Sequence, residues 1–240
     1  IMPLPKIATP TYELELPSTG KTIKYRPFLV KEEKLLVLAL ESNDTKEITN
    51  AIKAVLKDCI QTRGIKVETL PTFDIEYLFL NIRGKSVGED IEVSVLCPDD
   101  GETYAEVQIS IDDIKVAKDD EHSTQIKINN DLMMEMRYPS LNQFIKNNFD
   151  FESDNQVDQS FDLIASCVDK IYSKDEVWAS DDFTKKEITE FLEQMNSSQF
   201  KEIEKFFTTM PKLSHEVEVV NPKTNKTGIV VLEGLSSFFA

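Results

Sequence analysis

Apolar and polar residues alternate over 12–16, with Tyr12, Leu14 and Leu16 on one side and Glu13 and Glu15 on the other. Pro17-Ser18-Thr19-Gly20 supplies turn chemistry, and Ile23 and Tyr25 resume the period of two, which predicts a β-hairpin. The period then lengthens. A Leu-rich helix is expected over 31–41. A second follows over 47–60, with Ile48, Ile52, Val55 and Cys59 on one stripe and Ala51, Leu56 and Ile60 beside it. Cys59 therefore reads as a core residue. After the break at Gly64, Pro71 opens a third helix whose apolar face is Ile75, Leu78, Phe79 and Ile82. Asp74 and Glu76 fall in its first turn, where the helix dipole favours acids, and it is expected to end near Gly84 and Gly88. The period returns to two for Ile91, Val93, Val95 and Cys97, then, past Pro98-Asp99-Asp100-Gly101, for Ala105, Val107, Ile109 and Ile111. A third strand is expected over 132–138 through Leu132, Met134, Met136 and Tyr138, and the charged stretch 115–123 reads as a loop or exposed edge.

From Leu141 the spacing is helical again. Val157, Phe161, Ile164, Ala165, Val168 and Ile171 form one long stripe with Cys167 at its margin. Thr184 and Glu187 fit a capping box ahead of Ile188, Phe191, Leu192 and Met195. Asn196-Ser197-Ser198 punctuates, and Phe200, Ile203, Phe206, Phe207 and Met210 continue to Pro211, a spacing that reads as core. At ~1.5–3 kcal/mol per large apolar side chain buried, such faces hold helices down. The chain closes with Val217 and Val219, a turn over 221–226, and a strand over 229–232. The class expected is α+β: a mainly helical body with an inserted β-hairpin region and hairpins at both ends. Its segments are 1–88, 89–139 and 140–240, taken as one compact body from which the β-insert protrudes.

Composition narrows the partners. The chain of 240 residues carries 43 acidic against 27 basic side chains, a formal charge of −16 spread along its length. That balance repels nucleic-acid phosphates and anionic lipid, and no basic patch offsets it. Cys59, Cys97 and Cys167 are widely spaced and odd in number, which argues against a disulfide framework. No apolar run reaches the ~20 residues of a membrane span, and no signal peptide opens the sequence. Met2 reads as the natural initiator and Ile1 as a leftover. The expectation is a soluble protein of a reducing compartment, in which the sequons at Asn43, Asn196 and Asn225 carry no meaning.

The apparent motifs are incomplete. Gly20-Lys21-Thr22 lacks the earlier Gly of a phosphate loop, since Glu15 stands there, and Lys24-Tyr25-Arg26-Pro27 does not begin a helix. Asp150, Glu152, Asp154 and Asp158 match positions of a calcium loop, but Asn155 and Phe161 replace its Gly and bidentate Glu. His122 sits in the charged loop with Asp119, Asp120 and Glu121 and reads as exposed; His215 opens the last hairpin and reads as a local cap or partner. Neither specifies a catalytic base for a nucleophile. Cys97-Pro98-Asp99-Asp100-Gly101 looks like half a zinc knuckle, yet Asp100 occupies the partner position and the returning strand brings no Cys or His. No catalytic residue, cofactor or metal is expected, and Cys97 is a lone remnant at most.

Several segments together resemble one family. YELELPSTGKTIKYRPFLVKEEKLL, LPTFDIEYLFLNIRGKSVGEDIEV, the Cys-Pro hairpin ending in IDDIKV, and FFTTMPKLSHEVEVVNPKTNKTGIVVLEGLSSFF occur in this order over most of the chain. They look like a baseplate hub protein of T-even-type contractile-tailed phages. Relatives often show Cys-Pro-x-Cys where this chain has Cys97-Pro98-Asp99-Asp100, so the resemblance implies a degenerate zinc-ribbon-like hairpin whose fold outlived its metal. It further implies a non-enzymatic late protein of the baseplate hub, a structural or assembly component in contact with other hub proteins or with itself. No nucleic acid, membrane or small-molecule substrate is implied. The implied location is the host cytoplasm during assembly and then the virion tail baseplate. Two alternatives stand beside it: a transient assembly chaperone absent from the mature virion, and a metal-dependent enzyme using the acidic clusters. In the tail, Leu235, Phe238 and Phe239 are more apolar than a free end would expose, so they either fold back onto the core or contact a partner, as the hairpin turns are also expected to do.

Overall fold

The computed structural model describes residues 7–42, 44–142 and 156–238. The chain begins with strands β1 (Tyr12–Glu15) and β2 (Thr22–Tyr25), then helices α1 (Val30–Glu41), α2 (Thr45–Cys59) and α3 (Thr72–Val87). Strands β3 (Asp90–Leu96), β4 (Tyr104–Ser110), β5 (Lys115–Ala117), β6 (Gln125–Lys127) and β7 (Met133–Met136) follow. Helix α4 (Gln156–Cys167) leads to β8 (Val168–Tyr172) and β9 (Val177–Ala179). Helices α5 (Lys185–Glu193) and α6 (Ser197–Thr209) come next, then β10 (Lys212–Val220), β11 (Thr227–Glu233) and a 3-10 turn, Leu235–Phe238. Contacts divide these elements into two compact units, one running to Val116 and resuming at Leu213, the other spanning Ala117 to Lys212. This division falls elsewhere than the 88/89 and 139/140 boundaries read from the pattern. Among the described residues no helix is long and apolar enough to cross a membrane.

In the first unit, β1 and β2 pair antiparallel with Leu14 opposite Ile23, and both side chains are buried. The turn between them is tied down by Asp74 in the first turn of α3, which accepts the Ser18 N–H at 3.0 Å and the Ser18 hydroxyl. A buried carboxylate is thereby hydrogen-bonded at a helix N-terminus, where the dipole also favours its charge. Asp44 caps α2 by accepting the Lys46 and Glu47 N–H groups at 2.7 and 3.2 Å. The expected stripe of α2 is buried in full, Cys59 included. Helix α3 continues through Gly84, which sits inside it because an added Cβ would lie 2.8 Å from the Ile111 side chain. Strands β3 and β4 form a two-stranded hairpin in unbroken register from Asp90↔Ser110 to Leu96↔Tyr104. A separate sheet runs β11-β10-β5, so part of the charged stretch 115–123 is an edge strand.

The second unit is built on the sheet β6-β7-β8-β9, against which α4, α5 and α6 bury Ile164, Ile188, Leu192, Ile203 and Phe206. Two expectations are corrected here. The strand expected over 132–138 does not extend the β3–β4 hairpin; β7 pairs with β6 and β8, where Met134 and Met136 meet Ile171 and Val168. The helical stripe expected through Val168 and Ile171 ends at Cys167, and both residues lie on β8. The register shifts between Glu135 and Met136, so that Val168 pairs with Met136 while Lys170 pairs with Glu135. This bulge puts residues three apart on the same buried face, which reproduces a helical spacing on a strand.

Candidate functional site

Helix α1 is fixed from within by one buried acid. Glu32 sits at its third position; Oε2 accepts the Leu29 N–H at 2.8 Å and Oε1 meets Arg26 Nη2 at 2.7 Å. Burial alone would raise the carboxyl pKa, but the bonds from Arg26, Leu29 and Lys31 outweigh it and hold the group down at about 2. Within α1 only Glu32 and Ala39 are buried. Leu35, Val37, Leu38 and Leu40 are 41–54% exposed, and Val30 and Leu29 are also open to solvent. A helix apolar around most of its circumference is ordinarily covered on most sides. Here its outer face is bare.

A second feature joins two hairpin turns 121–125 residues apart in sequence. Asn221, only 1% exposed, donates Nδ2 to Asp99 Oδ1 at 2.7 Å and Asp100 Oδ2 at 2.9 Å. Thr224 Oγ1 donates to Asp99 Oδ2 at 2.6 Å. The turns have matching backbones: the Gly101 N–H bonds the Cys97 carbonyl at 3.0 Å, and the Asn225 N–H bonds the Asn221 carbonyl at 2.8 Å. Gly101 and Asn225 both have positive φ, +67° and +58°, the conformation Gly and Asn tolerate best. Asp100 also accepts the Thr103 hydroxyl and the Thr103 and Glu102 N–H groups, and these bonds with that from Asn221 hold its pKa below the usual carboxylate range, as the bonds from Thr224 and Asn221 do for Asp99. The Cys97 thiol is buried, and burial together with Asp100 and Asp99 pushes its pKa up. Asp100, Asn221 and Thr224 spend their polar atoms on one another and on the turns, so the set does not fit a zinc ion, which wants thiolate or imidazole. Among the described residues no group of three or more His, Cys, Asp and Glu is placed to hold a metal.

The second unit holds an open apolar cleft of about 280 Å³ lined by Leu132, Ile171, Trp178, Phe183, Ile188 and Phe191. Glu187 is its one carboxylate, and it is engaged as the capping box of α5, accepting the Thr184 N–H and hydroxyl at 2.7 and 2.8 Å.

The residues singled out by sequence fall as follows. Gly20-Lys21-Thr22 closes the first hairpin, with the Gly20 N–H on the Leu16 carbonyl, and leads into β2 rather than a helix. His122 is not the exposed loop residue expected. Its ring stacks on Tyr138 and lies 5.3 Å from Phe206, with Nδ1 2.9 Å from Thr209 Oγ1 and Nε2 3.0 Å from the Tyr138 hydroxyl. Burial lowers its pKa, against a smaller opposing effect of Asp119. The acidic flank of the loop does not reveal this, because the aromatic partners come from distant elements. His215 stands opposite Leu232 in the β10–β11 ladder. Burial raises the Cys59 and Cys167 thiols to about 12 and about 11, which suits packing and not nucleophilic work. Leu235 and Phe238 are both buried within the first unit. Phe239, Asp150, Glu152 and Asp154 lie outside the described residues, and Asp158 falls in α4. Sequence reasoning missed Asn221, whose only local signal is its likeness to Cys97 as the residue before a Pro at a strand end.

Comparison with curated proteins and with solved structures gives no match. The family model described as T4 bacteriophage base plate protein matches residues 9–240. With the match running over almost the whole chain, both compact units included, this protein belongs to the T4 bacteriophage base plate protein family.

Proposed function

We propose that this baseplate protein is a non-enzymatic structural component of the baseplate hub and acts through protein–protein contacts. The observation that carries the reading is the bare outer face of α1, where Leu35, Val37, Leu38 and Leu40 are presented to solvent on a helix anchored by Glu32. Four large apolar side chains left in solvent on one helix support an association site there. The partner is another baseplate protein, which follows the family. A charge of −16 on every copy works against self-association through this face. The paired turns at Cys97 and Asn221 are, in this reading, a metal-free counterpart of a two-knuckle ribbon.

The test counts this chain in purified tails against a known structural subunit, for the natural protein and for a Val37→Lys/Leu38→Lys variant. Both residues are exposed, so the variant should fold with stability changed by no more than roughly 0.5 kcal/mol per site. A fixed copy number in tails, reduced at least tenfold by the variant, supports the proposal. A chain present in assembly intermediates but missing from finished tails is a chaperone, and the structural reading fails.

A further inference from the structure

Strand β11 is the outer strand of the sheet β11-β10-β5. Its seven residues pair with β10 without a register shift, from Ser214↔Glu233 to Val220↔Thr227. The direction of its backbone groups follows from the two ends of this ladder. The Asn221 N–H bonds the Lys226 carbonyl at 2.9 Å, and the Gly234 N–H bonds the Leu213 carbonyl at 2.9 Å. Hydrogen-bonded pairs alternate along an antiparallel ladder, and both ends give the same phase. Gly228, Val230 and Leu232 therefore face β10 with their N–H and C=O groups, while those of Ile229 and Val231 point out at the free edge. Among the described residues those two amides have no partner. The same two side chains are 68% and 50% exposed.

Proteins blunt such edges with an internal charge, a Pro, a bulge or a short strand. The other edge strands of four or more residues carry a charge within them: Glu13 in β1, Lys24 in β2, Glu92 in β3 and Glu106 in β4. Strand β11 reads Thr-Gly-Ile-Val-Val-Leu-Glu, with no charge until its last residue. None of these protections is present along its middle.

We propose that the β11 edge accepts an extended segment of a different protein as an added antiparallel strand. Alternating unpaired N–H and C=O groups are satisfied together by a strand, which fixes the shape of the occupant. The outward face sets its chemistry: β-branched apolar residues opposite Ile229 and Val231, and a basic residue opposite Glu233, with Glu216 and Glu218 on the same face of β10. A second copy paired antiparallel about Val230 would set its Thr227, not a basic residue, opposite Glu233 and would add a like charge of −16, so the occupant is not this chain. This surface is distinct from the α1 face and does not depend on the hub reading.

The experiment uses the full chain and a soluble seven-residue peptide with lysine first, valine third and fifth, and threonine elsewhere. Amide hydrogen exchange is followed at Ile229, Val230, Val231 and Leu232. At saturating peptide, exchange at Ile229 and Val231 should slow at least tenfold. Val231→Pro removes an N–H that β10 does not use, and Pro is tolerated at an edge in that position. Protection of Val230 and Leu232 should persist in this variant while the peptide effect disappears. An Ile229→Lys/Val231→Lys variant, which keeps the backbone intact, should weaken the peptide at least tenfold. The proposal is overturned by absence of protection at Ile229 and Val231, or by either variant binding the peptide as tightly as the natural protein. It is equally overturned if the chain alone forms a dimer that shields those amides.

Discussion

Arg26 reaches Glu32 at 2.7 Å with both side chains largely withdrawn from water, and the pair joins the end of the first hairpin to the start of α1. Because Glu32 is held at about 2 against an ordinary 4.5, its contribution to stability is fully present above pH 4.5 and is lost as the pH falls toward 2. Glu32→Gln leaves Arg26 without its charge partner and should cost about 3 kcal/mol at pH 7. Urea unfolding at pH 7 and again near pH 3 checks this, since the gap between variant and natural protein should narrow at the lower pH.

His122 runs the opposite way around neutrality. Its folded-state pKa lies below 6.5, so the unfolded chain binds the proton more readily and stability falls as the pH drops below 6.5. His122→Phe keeps the stack with Tyr138 and Phe206 but gives up the bonds to Thr209 and Tyr138. Melting temperatures measured between pH 7.5 and 5.5 should show a shallower decline for the variant, even if it starts lower.

The joint between the turns should be sensitive from both sides. Asn221→Ala removes the donor shared by Asp99 and Asp100 and the acceptor for the Lys223 and Thr224 amides, and should destabilise by about 2 kcal/mol. Gly228→Ala puts a Cβ 2.5 Å from the Pro98 ring, which has little freedom to give, at a cost of about 1–3 kcal/mol. Chemical denaturation of each, and of the double variant, should show losses that do not add.

The metal-free reading of the same joint predicts a gain of function. Asp100→Cys, Asn221→Cys and Thr224→Cys, together with Cys97, place two Cys-x-x-Cys pairs on the matched turns. Titration with cobalt should give the visible absorption of a tetrahedral thiolate site. An octahedral spectrum, or none, would show that the turns do not converge as a knuckle pair.

What the sequence made legible was local. The Thr184–Glu187 capping box, the Pro17–Gly20 turn and the α2 stripe are written in neighbouring letters and stand in the structure where the pattern puts them. Val168 and Ile171 misled, because a bulge gives a strand the spacing of a helix. Strands β6 and β9 are three residues each, too short to show a period. The contacts of Asn221 with Asp99 and Asp100 depend on tertiary placement and leave no periodic trace. The α1 letters forecast a helix, but whether its Leu residues turn inward is decided by Glu32 and Ala39, the two that do.

The bare face of α1 also makes salt a control on when this protein associates. In dilute buffer the −16 charge keeps copies apart, with a reach of about 30 Å at 0.01 M ionic strength that shrinks to about 3 Å at 1 M. Contact between apolar faces is not screened in this way. Concentrated salt therefore leaves the attraction in place while removing the repulsion, and the colloidal behaviour of the purified chain becomes a readout of whether α1 is still uncovered.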